Sequence, residues 1–511
     1  MSRVAELVGS NKGNTTSWAF LEAPEKLTRL EVLIAESLRA AAEAPPYFVS
    51  PFPSALAEIG SRRHQIVFGR RGSGKTSLLR KMQSEAGLKG EFCAFIDLEP
   101  FKNLDLPDQL LSATLEFFDQ LFSRYSAIKD ALPEHVLNEI AKEISYLSER
   151  LVQPDKLLTE VRETSTLQNR ADLSAGGKAI LPFFQARGEV SSRLTEGGET
   201  TKVQVIESDK LSDIRRRTIQ QRRLIQSVVR ALGRPAFVIF DDFYHLRADC
   251  QPFFIDHFHA LFKGVNVWMK IGTLKSRSLW HWRHKGQTFG LEIPNDADEL
   301  NLDRSFSQFT LTRQFFISMV ESLTSECALS VEQVATEAAL NRLVQASGGV
   351  ARDFLSLLRL TLKDAQERVA SECANGEIKG APRISADDTW DAAVRHDTEK
   401  RQQFQQNSEV VNQEYYLLKL EDIKTFCFQN GSNCILLGQQ PTIRAEFEVL
   451  WDSKFIHIVD DQLRMNGKDY SVYCLDIGVH AADRRKRSIV VDLSDASARQ
   501  DLRRVGLIFA E

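Results

Sequence analysis

The chain has no cysteines paired as C-x-x-C; its seven cysteines, an odd number, are scattered along the sequence. That argues against a zinc framework and for free thiols in a reducing compartment. No run of about eighteen apolar residues occurs, and the opening MSRVAELVGSNKGNTTSW has no apolar signal core. The expectation is a cytoplasmic protein with no membrane partner. An excess of either charge is also lacking: 65 Lys and Arg against 69 Asp and Glu leave a net −4. The molecule as a whole therefore exerts no general pull on nucleic acid or acidic lipid, and only local patches can do so. None of the ten histidines has a metal-motif spacing, and His245 reads as structural. There is no internal repeat and no extended low-complexity tract. What is left, at 511 residues, 43% hydrophobic and 26% charged, is an ordinary globular composition for about two to four domains.

One stretch departs from that ordinariness. IVFGRRGSGKTSLLRKM, Ile66 to Met82, sets glycines and cations between an apolar triad and a helical pattern. Gly69, Arg70, Arg71, Gly72, Ser73, Gly74, Lys75 and Thr76 satisfy G-x-x-x-x-G-K-[ST] at each fixed position. Glycines let successive backbone N–H groups curl around phosphate oxygens, and the start of the following helix adds partial positive charge. Lys75 is expected to reach the β- and γ-phosphates, and the Thr76 hydroxyl to hold Mg²⁺. A nucleoside triphosphate, ATP with Mg²⁺, is the ligand this predicts.

A second stretch, FVIFDDFY from Phe237 to Tyr244, delivers two carboxylates at the end of a buried-strand pattern, where ligands bind in parallel sheets. Asp241 is expected to complete the Mg²⁺ environment, and Asp242 to act as the base on an attacking water. A third apolar strand, VNVWMKIGT, ends in Gly272 and Thr273.

The order of these pieces resembles an AAA+ ATPase, nearest the origin-recognition/initiator-like and STAND-type members. Gly69–Thr76 is similar to Walker A, and FVIFDD to Walker B. The resemblance makes Thr273 a polar sensor of the γ-phosphate. SGGVARDFLSLLRL is similar to the G-G-x-x-R stretch of initiator-type lids, making Arg352 a second sensor. It implies an α/β fold: a P-loop NTPase parallel sheet, a helical lid and a mixed α/β C-terminal domain with a winged-helix ending. Two departures stand out. The acidic pair is Asp-Asp where the family more often has Asp-Glu, and the interval from Lys75 to Asp241 is long. For an arginine finger supplied by a neighbouring subunit, Arg277, Arg283 and Arg304 are the candidates.

The expected organisation is an N-terminal helical segment to 46, an ATPase core over 47–311 with an insertion at about 161–205, and a lid over 312–371. A linker (372–386) and a C-terminal interaction domain (387–511) follow. Two stretches are candidates for partner contact. RSLWHWRHKG, Arg277 to Gly286, interleaves Trp280 and Trp282 with Arg283, His284 and Lys285, which suits base stacking and phosphate pairing. The simpler reading packs a helix on the sheet through the tryptophans. Ahead of Walker B, Arg215/Arg222 and Arg216/Arg223 repeat at a spacing of seven, either a solvated basic face or a polyanion contact. From Ala381 onward, 17 Lys and Arg face 21 Asp and Glu, with only RRKR (Arg484–Arg487) concentrated, so DNA and protein contact stay equally open there. The resulting expectation is an ATP-hydrolysing regulatory ATPase that couples nucleotide state to homo-oligomerisation or a protein partner. DNA or RNA is a further candidate partner, and the resemblance allows a role in nucleic-acid transactions or anti-phage defence. A nucleic-acid motor and a non-hydrolysing ATP-dependent scaffold are the alternatives.

Overall fold

The computed structural model describes residues 19–38, 47–128, 131–166, 191–196, 199–284, 286–376, 381–406, 412–465, 467–481, 493–495 and 508–510. Arg484–Arg487 and Lys285 lie outside the described residues, as does most of the first 46. Two helices open the described chain, α1 (Ala19–Glu22) and α2 (Pro24–Ser37), followed by the short α3 (Ala55–Ile59). Next come β1 (His64–Phe68), α4 (Lys75–Leu88), β2 (Phe92–Asp97), α5 (Leu106–Ser126) and α6 (Glu134–Val152). Strands β3 (Lys156–Thr166), β4 (Ser191–Glu196) and β5 (Glu199–Asp209) form a separate antiparallel sheet where the insertion is expected, with β5 in the middle. The chain returns through α7 (Lys210–Leu232), β6 (Ala236–Asp241), α8 (Gln251–Phe262) and β7 (Val267–Thr273).

Five strands, β2, β6, β7, β1 and β10 (Ala297–Asn301), make one all-parallel sheet in the order β10-β1-β7-β6-β2. The fold class is α/β, as the strand–helix alternation predicts. Successive side chains of a strand point to opposite faces, and the core divides accordingly. Ile66, Phe68, Val238 and Phe240 face α5, α6, α7 and α8. Val67, Phe237 and Ile239 face α3 and α4. Burial on both faces explains why these strands are apolar runs without alternation. The outer edge at β2 is capped by Gln120 of α5, whose side-chain amide accepts from Phe95 N–H at 2.9 Å and donates to Phe95 C=O at 2.8 Å.

Arg277–Gly286, expected as a helix, is instead built around a hairpin of β8 (His281–His284) and β9 (Gln287–Gly290). The W-x-W alternation has a strand's period of two, and Gly286 with φ 79° makes the turn.

The helical block consists of α9 (Phe309–Ser325), α10 (Val331–Val334), α11 (Glu337–Ala346) and α12 (Ala351–Ala374). Helices α1 and α2 pack into its core through Phe20, Leu27, Leu30 and Ile34. The C-terminal block runs through α13 (Ala386–Gln406), α14 (Gln413–Asn430), β11 (Cys434–Gly438), α15 (Pro441–Asp452), β12 (Ile456–Met465), β13 (Lys468–Leu475), α16 (Ile477–Ala481) and β14 (Ile508–Ala510). Its sheet order is β12-β13-β11-β14, and β12–β13 is the helix-following hairpin the sequence suggests. One face of this sheet (Leu436, Val459, Val472) belongs to the helical block's core, and the other (Ile435, Leu437, Tyr473) packs on α14 and α15. All seven cysteines are free. Among the described residues, no helix is long and apolar enough to cross a membrane.

Candidate nucleotide site

The phosphate-loop residues join β1 to α4 at the C-terminal edge of the parallel sheet, where β6 and β7 also end. Gly72 and Gly74 have φ of 89° and 98°, left-handed values that favour glycine. Lys75 is buried, and its Nζ donates to the carbonyls of Gly69 (2.6 Å) and Arg70 (3.4 Å). Burial lowers its pKa, opposed by the nearby Asp242, Asp241 and Asp303. The Ser73 hydroxyl is buried without a hydrogen-bond partner, as a group meant for a ligand oxygen would be.

Asp241 ends β6 and is 3% exposed. The Thr76 hydroxyl donates to its carboxylate, while its Oδ1 is buried and has no partner. Burial, reinforced by the charge of Asp242, pushes Asp241 up to about 6. Gly272 on β7 leaves room for that carboxylate, because a Cβ there would collide with Asp241 Oδ1. An orphaned buried carboxylate oxygen beside a hydroxyl is a hard oxygen donor pair, and it fits Mg²⁺. Asp242 follows in a left-handed conformation, φ 52° and ψ 39°, which turns its side chain out of the strand direction. It is half-buried, and burial raises its pKa against the pull of Lys75.

The other predicted residues are placed as follows. Thr273 lies 1% exposed at the end of β7, and its hydroxyl contacts that of Ser278. Arg352 begins α12 and is exposed; its N–H donates to Gly72 C=O at 3.0 Å. A Cβ on Gly72 would lie 2.8 Å from Arg352 Cβ, so the glycine permits the close seat of the helical block. Arg352 is also near enough to Lys75 to lower its pKa. Arg71 reaches across to Tyr244, Nη2 to hydroxyl 3.3 Å. Arg70 is 2% exposed, and its guanidinium lies against the helical and C-terminal blocks. Its N–H donates to Asp303 (2.7 Å) and its Nη2 to Gly348 C=O (2.7 Å), while Nη1 lies 3.5 Å from His457 Nδ1. Its guanidinium also sits 4.9 Å from the Trp451 ring centroid.

Of the three finger candidates, Arg304 is drawn inside its own subunit. Its Nη2 donates to Pro51 C=O, its guanidinium lies 3.9 Å over Phe315, and burial pulls it down to about 10. These contacts hold the Arg304 guanidinium against its own subunit. Arg283 is 73% exposed and pairs with Glu292 at 3.3 Å, and Arg277 lies between core and C-terminal block.

Sequence reading missed several residues. Glu99 and His245 bring ligand-capable atoms within 4.8 Å of each other and of the predicted Asp242, and the charge of His245 acts on Asp242. The parallel register Asp97↔Asp241 and the bond from Leu98 N–H to Asp241 C=O at 3.1 Å place the turn after β2 beside the acidic pair. His457, Asp476 and Lys400, of the C-terminal block, form a buried chain behind Arg70. His457 Nε2 lies 2.8 Å from Asp476, which lies 2.9 Å from Lys400. Burial alone would raise Asp476, but Lys400 and His457 outweigh it and hold the carboxyl well below the usual range.

Neither a family model nor a curated relative matches this chain. Among solved structures, it is similar to the Aeropyrum pernix Orc1 protein in complex with DNA, at 13% identity and a TM-score of 0.31. The similarity covers 95% of this chain and 97% of that one. At that level the two chains share too little for a function to be transferred.

Proposed function

We propose that the protein is an AAA+-like ATPase that binds MgATP at the C-terminal edge of its parallel sheet, hydrolyses it, and reads out nucleotide state through the helical and C-terminal blocks. One observation carries this reading. Thr76 of the phosphate loop hydrogen-bonds Asp241 of β6, and the remaining Asp241 oxygen is buried and unpartnered. A structural turn would leave no reason to bury a lone carboxylate oxygen, which costs about 1–3 kcal/mol or more.

In this reading the loop N–H groups and Lys75 hold the β- and γ-phosphates, and Thr76 and Asp241 hold Mg²⁺. When bound, the ion supplies charge neutralisation on the phosphates. Asp242 takes a proton from water as its oxygen bonds to the γ-phosphorus. The bond from that phosphorus to the bridging oxygen breaks, leaving ADP and phosphate. Arg352 and Thr273 monitor the γ-phosphate from the helical block and from β7. Readout follows from Arg70: a loop that rearranges around phosphate pulls on a side chain held by the helical block and the C-terminal block.

The test separates binding from chemistry. Lys75→Ala should abolish most ATP affinity in calorimetry while the fold persists. Asp242→Asn should bind ATP with near-parent affinity yet retain it unhydrolysed, because an amide cannot accept the water's proton. Parent-like ATP affinity in Lys75→Ala would overturn the phosphate-loop assignment. Parent-rate turnover in Asp242→Asn would overturn the choice of base.

A further inference from the structure

The two stretches singled out for partner contact converge on one cleft, whose lining includes none of the phosphate-loop residues. Helices α5, α7 and α8 and strand β9 enclose a cleft of about 470 Å³, within the range of ligand pockets. Arg215, Ile219 and Arg222, at i, i+4 and i+7 on α7, share one exposed stripe along it. Ile219 is 61% exposed, an unusual state for an isoleucine between two arginines. Phe253 and Phe289 line the cleft with ring centroids 4.7 Å apart. Trp282, 39% exposed, stands 5.6 Å from Phe253 and extends this aromatic wall. Trp280, by contrast, packs on Phe68 of the core, so the simpler reading holds for one tryptophan and not the other.

The deciding group is His257. It lines the cleft, is 9% exposed, and its Nε2 has no hydrogen-bond partner. Burial pushes it down to about 4, so at neutral pH it offers one N–H and one lone pair, not a charge. The cleft's carboxylate, Asp256, accepts from Gly290 N–H at 3.4 Å.

We propose that this cleft binds single-stranded nucleic acid, with a base between the aromatic wall and His257 and its flanking phosphates on Arg215 and Arg222. Each observation narrows the ligand. The arginine stripe, extended by exposed Arg216 and Arg223 in a chain of net charge −4, selects an anion. Aromatic faces select planar rings, which stack regardless of sequence. A neutral, unpaired imidazole selects an edge bearing donors and acceptors. Duplex bases are stacked and paired and do not enter such a cleft, while an acidic peptide answers the arginines but not the wall. Seven helical residues rise about 10 Å, so the two guanidinium groups address different phosphates.

The test is fluorescence anisotropy of the full-length chain with labelled oligo-dT and oligo-U, with a duplex and poly-glutamate as competitors. Arg215→Glu/Arg222→Glu should weaken single-strand binding at least tenfold and reduce the salt slope by about 1.4, at roughly 0.7 per phosphate. Trp282→Ala should weaken it about tenfold and Trp282→Phe much less. ATPase rates without oligonucleotide should match the parent in all three, which verifies that each variant folds. Binding of neither single strand would overturn the proposal. So would affinity indifferent to the double arginine variant, or displacement by duplex or poly-glutamate as effective as by unlabelled single strand.

Discussion

At the residue scale, the most consequential group is Asp241, because in the proposed function its carboxylate is the one that would hold the metal, and burial has altered its titration. Burial first, and Asp242 second, raise it to about 6 from an ordinary 3.8. The sign follows directly. Between these values the ligand-free native state keeps a proton that the unfolded chain has released, so stability contributed here falls as pH rises through that window. Mg²⁺ competes with that proton, so its affinity rises with pH toward and through about 6 and levels off above. Magnesium titrations of the ATP complex at about pH 5 and about pH 7.5 should show markedly weaker binding at the lower value. Equal affinity at both would mean that Asp241 does not hold the ion. Asp241→Asn should flatten the dependence as well as weaken it. These acidic and glycine-rich motifs were legible in the sequence because their chemistry is local, carried by neighbours along the chain. Glu99 and His457 were not, since strand register and tertiary packing alone bring them near the phosphate loop.

At the element scale, Arg70 joins three blocks that sequence reading treats as successive. It ties the phosphate loop to Asp303 after β10, to Gly348 before α12, and to His457 on β12. Gly348 is a glycine for a tertiary reason: a Cβ there would overlap the His457 ring, and its φ is 58°. The G-G stretch was recognisable as a motif, yet its partner could be found only in the fold. Arg70→Met removes a buried charge and strands its partners, an effect of about 3–5 kcal/mol for a buried pair. Thermal unfolding should therefore begin at distinctly lower temperature, and the nucleotide-induced rise in midpoint should shrink. An unchanged melting profile would show that the three blocks are held together by their apolar contacts alone. The Trp280–Trp282 stretch teaches the complementary lesson. Its aromatic and cationic content was plain, but a helical reading overlooked the period of two and the turn at Gly286 that make it a hairpin.

At the scale of the whole molecule, the proposed link between nucleotide and assembly predicts a rate that depends on protein concentration. Of the finger candidates Arg277, Arg283 and Arg304, the last is held by Pro51 and Phe315 of its own subunit, while Arg283 is 73% exposed. A finger in trans contributes about 10³-fold or more to rate, so specific ATPase activity should climb with protein concentration. Mass measured in ATP should then exceed mass in ADP. A specific rate that stays flat while mass is the same in both nucleotides would indicate a self-contained enzyme. The C-terminal sheet has a different kind of consequence. Since one of its faces completes the core that α1, α2 and the helical block share, this block is not a detachable cassette. Gene fusions or recombination events that replaced it with an unrelated segment would leave Val459 and Val472 without successors, and Arg70 without His457. Diversification in descendants of this chain is therefore steered toward the exterior of α14 and α15 and toward the β3–β5 sheet, while the α13–β13 interior changes only in concert with the helical block whose core it completes.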